Sequence, residues 1–106
     1  MNNRSYFALG IMTGTSLDGI DLSLCRTDGK TRFKNIKTLY VSYKTALRNE
    51  IHDLIIRFNN KKYSIEDLIF LRRKISKEYI NAVKRFTDLY NYKIDLVCIH
   101  GQTIYH

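Results

Sequence analysis

Eight consecutive residues, Gly14, Thr15, Ser16, Leu17, Asp18, Gly19, Ile20 and Asp21, place two glycines, two hydroxyls and two carboxylates between apolar runs. Glycines let backbone N–H groups approach an anion closely, hydroxyls add donors, and aspartates hold Mg²⁺ directly or through water. The composition therefore suits a turn around a phosphate and a divalent metal. It also suits a plain hairpin in which Thr15, Ser16 and Asp18 bond to the local backbone. A second polar group, His100-Gly101-Gln102-Thr103, follows an apolar run near the other end and offers imidazole, amide and hydroxyl. It, too, can be read as no more than the cap of a following element. His52 falls inside a helical pattern and reads as surface or packing, and Cys98, His100 and His106 match no familiar zinc spacing.

The elements that must position these groups can be read from periodicity. Tyr6 to Met12 is an apolar, strand-like run leading into the glycine turn, and Ile20, Leu22 and Leu24 alternate with Asp21, Ser23 and Cys25 as on a strand with one buried face. Asp28-Gly29 has the chemistry of a tight hairpin, and residues 33–43 read as a third strand with Leu39, Val41 and Tyr43 on one side. Ile51, Leu54, Ile55 and Phe58 then mark one face of a helix ended by Asn59-Asn60. Ser64 and Asp67 form a variant capping box for a second, longer helix whose stripe is Leu68, Leu71, Ile75, Tyr79, Ala82, Phe86 and Leu89. Its opposite face carries Arg73, Lys74, Lys77, Lys84 and Arg85. Residues 94–99 are nearly continuously apolar, as suits a parallel strand buried on both faces.

The predicted order is β-β-β-α-α-β: an α/β fold whose mixed sheet combines an antiparallel meander with a parallel last strand. In open α/β sheets ligands bind beyond the carboxyl ends of the strands. A last strand parallel to the first brings both polar segments to the same end of the sheet. A phosphate donor and a polar acceptor can then be held side by side, which is most of what phosphoryl transfer asks of a protein.

Bulk properties narrow the classes. With 106 residues, 44% hydrophobic and 12% aromatic, the chain is one domain at most and neither disordered nor low-complexity. It has no apolar run of the roughly 18 residues that a membrane span needs, and no secretory signal pattern, so a cytoplasmic location is expected. Cys25 and Cys98 sit in apolar strand-like segments and read as small core residues rather than a disulfide framework. The net charge of +8 is uneven: residues 30–93 hold 16 Lys/Arg against 6 Asp/Glu, away from both polar segments. This excess reads as a solvated helix face, with a polyanion-binding surface as the alternative.

Together the two segments resemble a known family. The run Ala8-Leu9-Gly10-Ile11-Met12-Thr13-Gly14-Thr15-Ser16-Leu17-Asp18-Gly19-Ile20-Asp21 is similar to the signature G-[LIV]-M-S-G-T-S-x-D-G-x-D of anhydro-N-acetylmuramic acid kinases. Asp95-Leu96-Val97-Cys98-Ile99-His100-Gly101-Gln102-Thr103-Ile104-Tyr105-His106 resembles that family's D-x-[IV]-x-x-H-G-Q-T-[VI]-x-H-x-P. Thr13 replaces the usual Ser and keeps the hydroxyl.

The resemblance implies the actin, Hsp70 and sugar-kinase superfamily, with residues 1–106 as an incomplete ribonuclease-H-like first lobe of a two-lobed sugar kinase. It implies conversion of 1,6-anhydro-N-acetylmuramic acid to N-acetylmuramic acid 6-phosphate with ATP, Mg²⁺ and water, in peptidoglycan recycling. By resemblance, Gly14 through Asp21 hold the ATP phosphates, Asp18 belongs to the Mg²⁺ shell, and His100, Gln102 and Thr103 line the sugar side.

The rest of the first lobe, the second lobe and the general-base aspartate have no counterpart in these 106 residues. No catalytic residue is assigned, and turnover by this polypeptide alone is not expected. Exposed edges and apolar faces on the last strand are expected to follow. Two alternatives remain: half of a split kinase completed by a separate chain, and a small basic nucleic-acid-binding module using the lysine-rich helix face. A nuclease using Asp18 and Asp21 is a weaker reading, because two-metal sites generally want further carboxylates.

Overall fold

The computed structural model describes residues 4–13 and 18–102. Its elements are β1 (Tyr6–Met12), β2 (Gly19–Thr27), β3 (Phe33–Ser42), α1 (Thr45–Asn59), α2 (Ile65–Leu89) and β4 (Leu96–His100). One four-stranded sheet has the order β3-β2-β1-β4. β1 pairs antiparallel with β2 and parallel with β4, and β2 pairs antiparallel with β3. This is the predicted order, a meander followed by a helical crossover to a parallel strand.

Period-two alternation decides which sheet face is buried. Leu9 and Ile11 of β1 and Ile20, Leu22 and Leu24 of β2 join Leu47, Ile51 and Leu54 of α1 and Leu71, Ile75, Ala82 and Phe86 of α2 in one core cluster. Both helices therefore pack on the same face of the sheet. The opposite face carries Asp21, Ser23, Thr38 and Tyr40. A register shift between Leu24 and Cys25 marks an irregularity in the β2–β3 pairing.

The connection between β2 and β3 is longer than the tight turn that Asp28-Gly29 suggests. Residues 28–32 wrap around the Asp28 carboxylate, which accepts N–H bonds from Lys30, Thr31 and Arg32 at 2.9–3.0 Å, while Gly29 supplies the left-handed φ of 78°. The capping box of α2 forms as read: the Asp67 N–H donates to Ser64 Oγ at 3.2 Å, and the Ser64 N–H donates to Asp67 Oδ2 at 3.1 Å. Arg57 of α1 reaches the same carboxylate oxygen at 2.7 Å, joining the two helices.

Three expectations need correction. Lys74 does not lie on a free basic face: its Nζ bonds both Glu50 oxygens at 2.8 Å and sits over the Phe70 ring, so it serves the contact between helices. Leu89, in the last turn of α2, is exposed. β4 lacks the two-sided cover that its apolar run suits, and shows instead the exposed edge and apolar faces expected of the last strand in these residues. Leu96, Val97 and Ile99 are 44–58% exposed and Cys98 is exposed, because β4 is the sheet edge and the helices cover β1 and β2 instead. Cys25 is partly covered, and its thiol lies 3.5 Å from the Ala8 carbonyl.

With so little side-chain burial, β4 is held by its backbone ladder and by Asp95. The Asp95 N–H donates to the Phe7 carbonyl at 2.8 Å, and the Phe7 N–H donates to Asp95 Oδ2 at 2.9 Å. Asp95→Ala is expected to speed amide exchange in residues 96–100 on the order of fivefold, leaving β2 unchanged, since one charge-assisted bond is lost. Equal exchange in wild type and variant would show that the strand does not depend on this clamp.

Asp67 carries a pH dependence. The Ser64 backbone N–H, then Arg57, hold its carboxyl below the ordinary range. A carboxylate depressed in the folded state contributes stability above its unfolded value and loses it on protonation. Capping of α2 is therefore expected to weaken as pH falls below about 4, and Asp67→Asn is expected to flatten that part of a pH–stability curve measured by urea denaturation.

Candidate functional site

Strand register brings the two polar segments together. Met12 of β1 is opposite Asp21 on one side and His100 on the other, and Asp21 is in turn opposite Tyr40. Side chains at paired positions share a face, so Tyr40, Asp21, Met12 and His100 form a row across all four strands on the face the helices leave open. With strands about 4.8 Å apart, Asp21 and His100 are roughly 10 Å apart across Met12. These residues line a shallow depression of about 670 Å³ together with Gly10, Ser23, Thr38 and Cys98.

Of the eight residues singled out around the first turn, Gly14, Thr15, Ser16 and Leu17 lie outside the described residues, as does Thr103. Asp18 is half-exposed, its Oδ1 3.5 Å from the Arg48 guanidinium of α1, and its carbonyl accepts the Tyr43 N–H at 2.9 Å. That carboxylate thus faces a cation already and is open to solvent, as suits an ion that keeps most of its waters. Among the described residues no three His, Cys, Asp or Glu side chains group as metal ligands, so a Mg²⁺ here would draw on Asp18, phosphate oxygens and water.

Gly19 is used in packing: a Cβ would lie 2.3 Å from the Val41 carbonyl oxygen and 2.9 Å from Ser42 Cα. Ile20 is fully buried in the core, so only its backbone can meet a ligand. His100 and Gln102 do not share one pocket. His100 lines the open-face depression, whereas Gln102 lines a groove on the helix side with Leu71, Ile75 and Tyr79.

Sequence reasoning missed a group of hydroxyls beneath this end of the sheet. Thr13, 1% exposed, lies just past β1, and its Oγ1 is 3.1 Å from the Tyr79 hydroxyl. The Tyr79 hydroxyl also lies 3.4 Å from the His100 carbonyl, to which it donates. Tyr43, 6% exposed, donates from its hydroxyl to Gln102 Oε1 at 3.0 Å. Burial, reinforced by nearby Tyr79, pushes the Tyr43 phenol well above its ordinary value, so it stays a neutral donor. Both tyrosines fall on apolar stripes and read there as core; their polar tips were the available signal.

Comparison with known proteins identifies the family. The family model described as anhydro-N-acetylmuramic acid kinase matches residues 6–106. The chain belongs to the anhydro-N-acetylmuramic acid kinase family. Curated members named anhydro-N-acetylmuramic acid kinase include one from Pelagibacter ubique (strain HTCC1062), 33% identical over 109 aligned positions, covering 97% of this chain and 28% of the relative. Others are from Francisella tularensis subsp. novicida (strain U112) and Bacillus cereus (strain Q1), each 34% identical, covering 94% of this chain and 27% of the relative. The chain thus spans little more than a quarter of these relatives' length. Among the described residues no helix is long and apolar enough to cross a membrane.

Gly19→Ala is expected to lower stability by about 1–3 kcal/mol, because the methyl meets the β3 backbone at Val41 and Ser42 as well as the Tyr40 hydroxyl, and the backbone cannot swing aside. At Gly101 a Cβ meets nothing within 4 Å, so Gly101→Ala is expected to stay within about 0.5 kcal/mol of wild type. Urea midpoints of both variants check the contrast.

Proposed function

We propose that these residues are part of the first lobe of an ATP-dependent kinase that hydrolyses and phosphorylates 1,6-anhydro-N-acetylmuramic acid to N-acetylmuramic acid 6-phosphate, in recycling of peptidoglycan in the cytoplasm. The observation that supports this most directly is the register that sets Asp21, Met12 and His100 side by side at the carboxyl ends of β1 and β4. In this reading residues 14–21 receive the ATP phosphates and Asp18 stands in the Mg²⁺ shell. His100, Gln102 and Thr103 serve the sugar, His100 from the open face and Gln102 from the helix side.

The division of labour follows from charge and reach. Mg²⁺, when bound, neutralises phosphate charge. Arg48 fixes the Asp18 carboxylate at the turn, and Gly19 brings β2 against β3 so that the turn leaves the sheet at a set point. His100 and Asp21 stand on either side of Met12 on the open face of the sheet. No residue of this chain is assigned the role of general base, and residues 1–106 alone are expected to give no turnover of the anhydro sugar. A separate chain supplying the remaining lobe would make the same residues half of a split kinase. The basic-module alternative loses support at Lys74, which is engaged by Glu50.

Titration with Mg·ATP, followed by amide chemical shifts, tests the reading. Shifts are expected at Asp18, Gly19 and Asp21, to vanish with EDTA, and to need about tenfold more nucleotide in Asp18→Asn, a loss of about 1.4 kcal/mol. Shifts confined to the basic hairpin at residues 26–34 would overturn it.

A further inference from the structure

We infer that the Tyr79 hydroxyl of α2 is a positioning group that ties the segment after β4 to the end of β1, setting the two polar segments relative to each other through helix α2 rather than through the sheet alone. Its bearing on ligand binding rests on the function proposed above; the hydrogen-bond relay itself does not.

β4 lacks side-chain cover. Its side chains are exposed on both faces, so packing does little to fix where residues 100–102 sit. The polar contacts from below do more. A phenol has one proton. The Tyr79 hydroxyl lies 3.1 Å from Thr13 Oγ1 and 3.4 Å from the His100 carbonyl, so it donates to the carbonyl only when Thr13 donates to it. In that arrangement the chain runs from Thr13 Oγ1–H through Tyr79 Oη–H to His100 O.

Thr13 immediately precedes residue 14, and His100 ends β4. A buried threonine hydroxyl without a partner is costly, which holds the relay together from the β1 end. Linked donors also polarise one another, so a change at Thr13 is felt at His100. Tyr43 also meets the Thr13 hydroxyl, but its own proton goes to the Gln102 side chain rather than to the strand-end carbonyl, so it does not substitute for this link.

The test is a double-mutant cycle on this chain without ligand, read at the His100 carbonyl ¹³C resonance, with the Val97 carbonyl as control. Tyr79→Phe removes only the hydroxyl and is expected to move the His100 resonance while leaving Val97 in place. Thr13→Val is expected to move it in the wild-type background and to have no effect in the Tyr79→Phe background. Thr13→Ser, which keeps the hydroxyl, is expected to restore the wild-type position.

Equal effects of Thr13→Val in both backgrounds, or none in either, would overturn the inference. Should Thr13→Val prove unfolded, the Thr13→Ser and Tyr79→Phe spectra still decide. An unmoved His100 resonance in Tyr79→Phe refutes the link. A separate titration with Mg·ATP keeps the two readings apart. Absence of shifts at residues 18–21 sinks the nucleotide site, whereas the ligand-free cycle alone judges the relay.

Discussion

Parallel pairing of β4 with β1 is the constraint on which the site depends. A β-strand following two helices can return to the sheet in either direction, and only the parallel one carries residues 100–102 to the end where β1 enters its turn. The crossover through α1 and α2 makes that return possible, and the paired bonds between Phe7 and Asp95 set its register just before the first residue of β4. A slip of one position would turn His100 away from Asp21 and expose a different set of side chains. Asp95, which interrupts an otherwise apolar run, thus has a physical reason to be there: it satisfies a β1 N–H at the point where β4 begins.

Much of the fold was legible because each element has one strongly periodic face. Ile20, Leu22 and Leu24 at period two, and Leu71, Ile75, Ala82 and Phe86 at helical spacing, appear in one core. The capping box at Ser64 and Asp67 needed nothing beyond local chemistry. Failures came where the outcome depends on neighbours. An apolar run such as Leu96 to Ile99 says that a strand wants covering, not whether these residues cover it. Lys74 counted as a solvent charge on a helical projection, yet Glu50 on the other helix captures it. The site was legible as two segments; that Thr13, Tyr43 and Tyr79 connect them was not, since tyrosine on an apolar stripe reads first as bulk.

The two sheet edges differ in how they are protected. β3 carries Lys34 and Lys37, charges that discourage pairing with another strand. β4 contains no Lys, Arg, Asp or Glu, and its apolar side chains stand in solvent. A strand with that composition is compatible with burial, and the matched relatives, of which this chain spans 27–28%, have ample further sequence in which such cover can lie.

Charge distribution bears on how an anion can be held at the site. The strong positive field is elsewhere: Arg4, Arg26, Lys30, Arg32 and Lys34 line a depression of about 620 Å³ at the β2–β3 hairpin end, opposite the turn after β1. At physiological ionic strength that field decays over about 8 Å, far less than the length of the strands between. The candidate site itself has two aspartates and, among the described neighbours, Arg48 as the cation in contact. Long-range attraction therefore does not explain phosphate binding there. For the proposed binding, what remains is short-range: backbone N–H groups beside Gly19, and a divalent ion that would convert Asp18 from a repelling group into a ligand. The carboxylates that make the proposed site unattractive to free phosphate are the feature that makes it suited to phosphate bound to Mg²⁺.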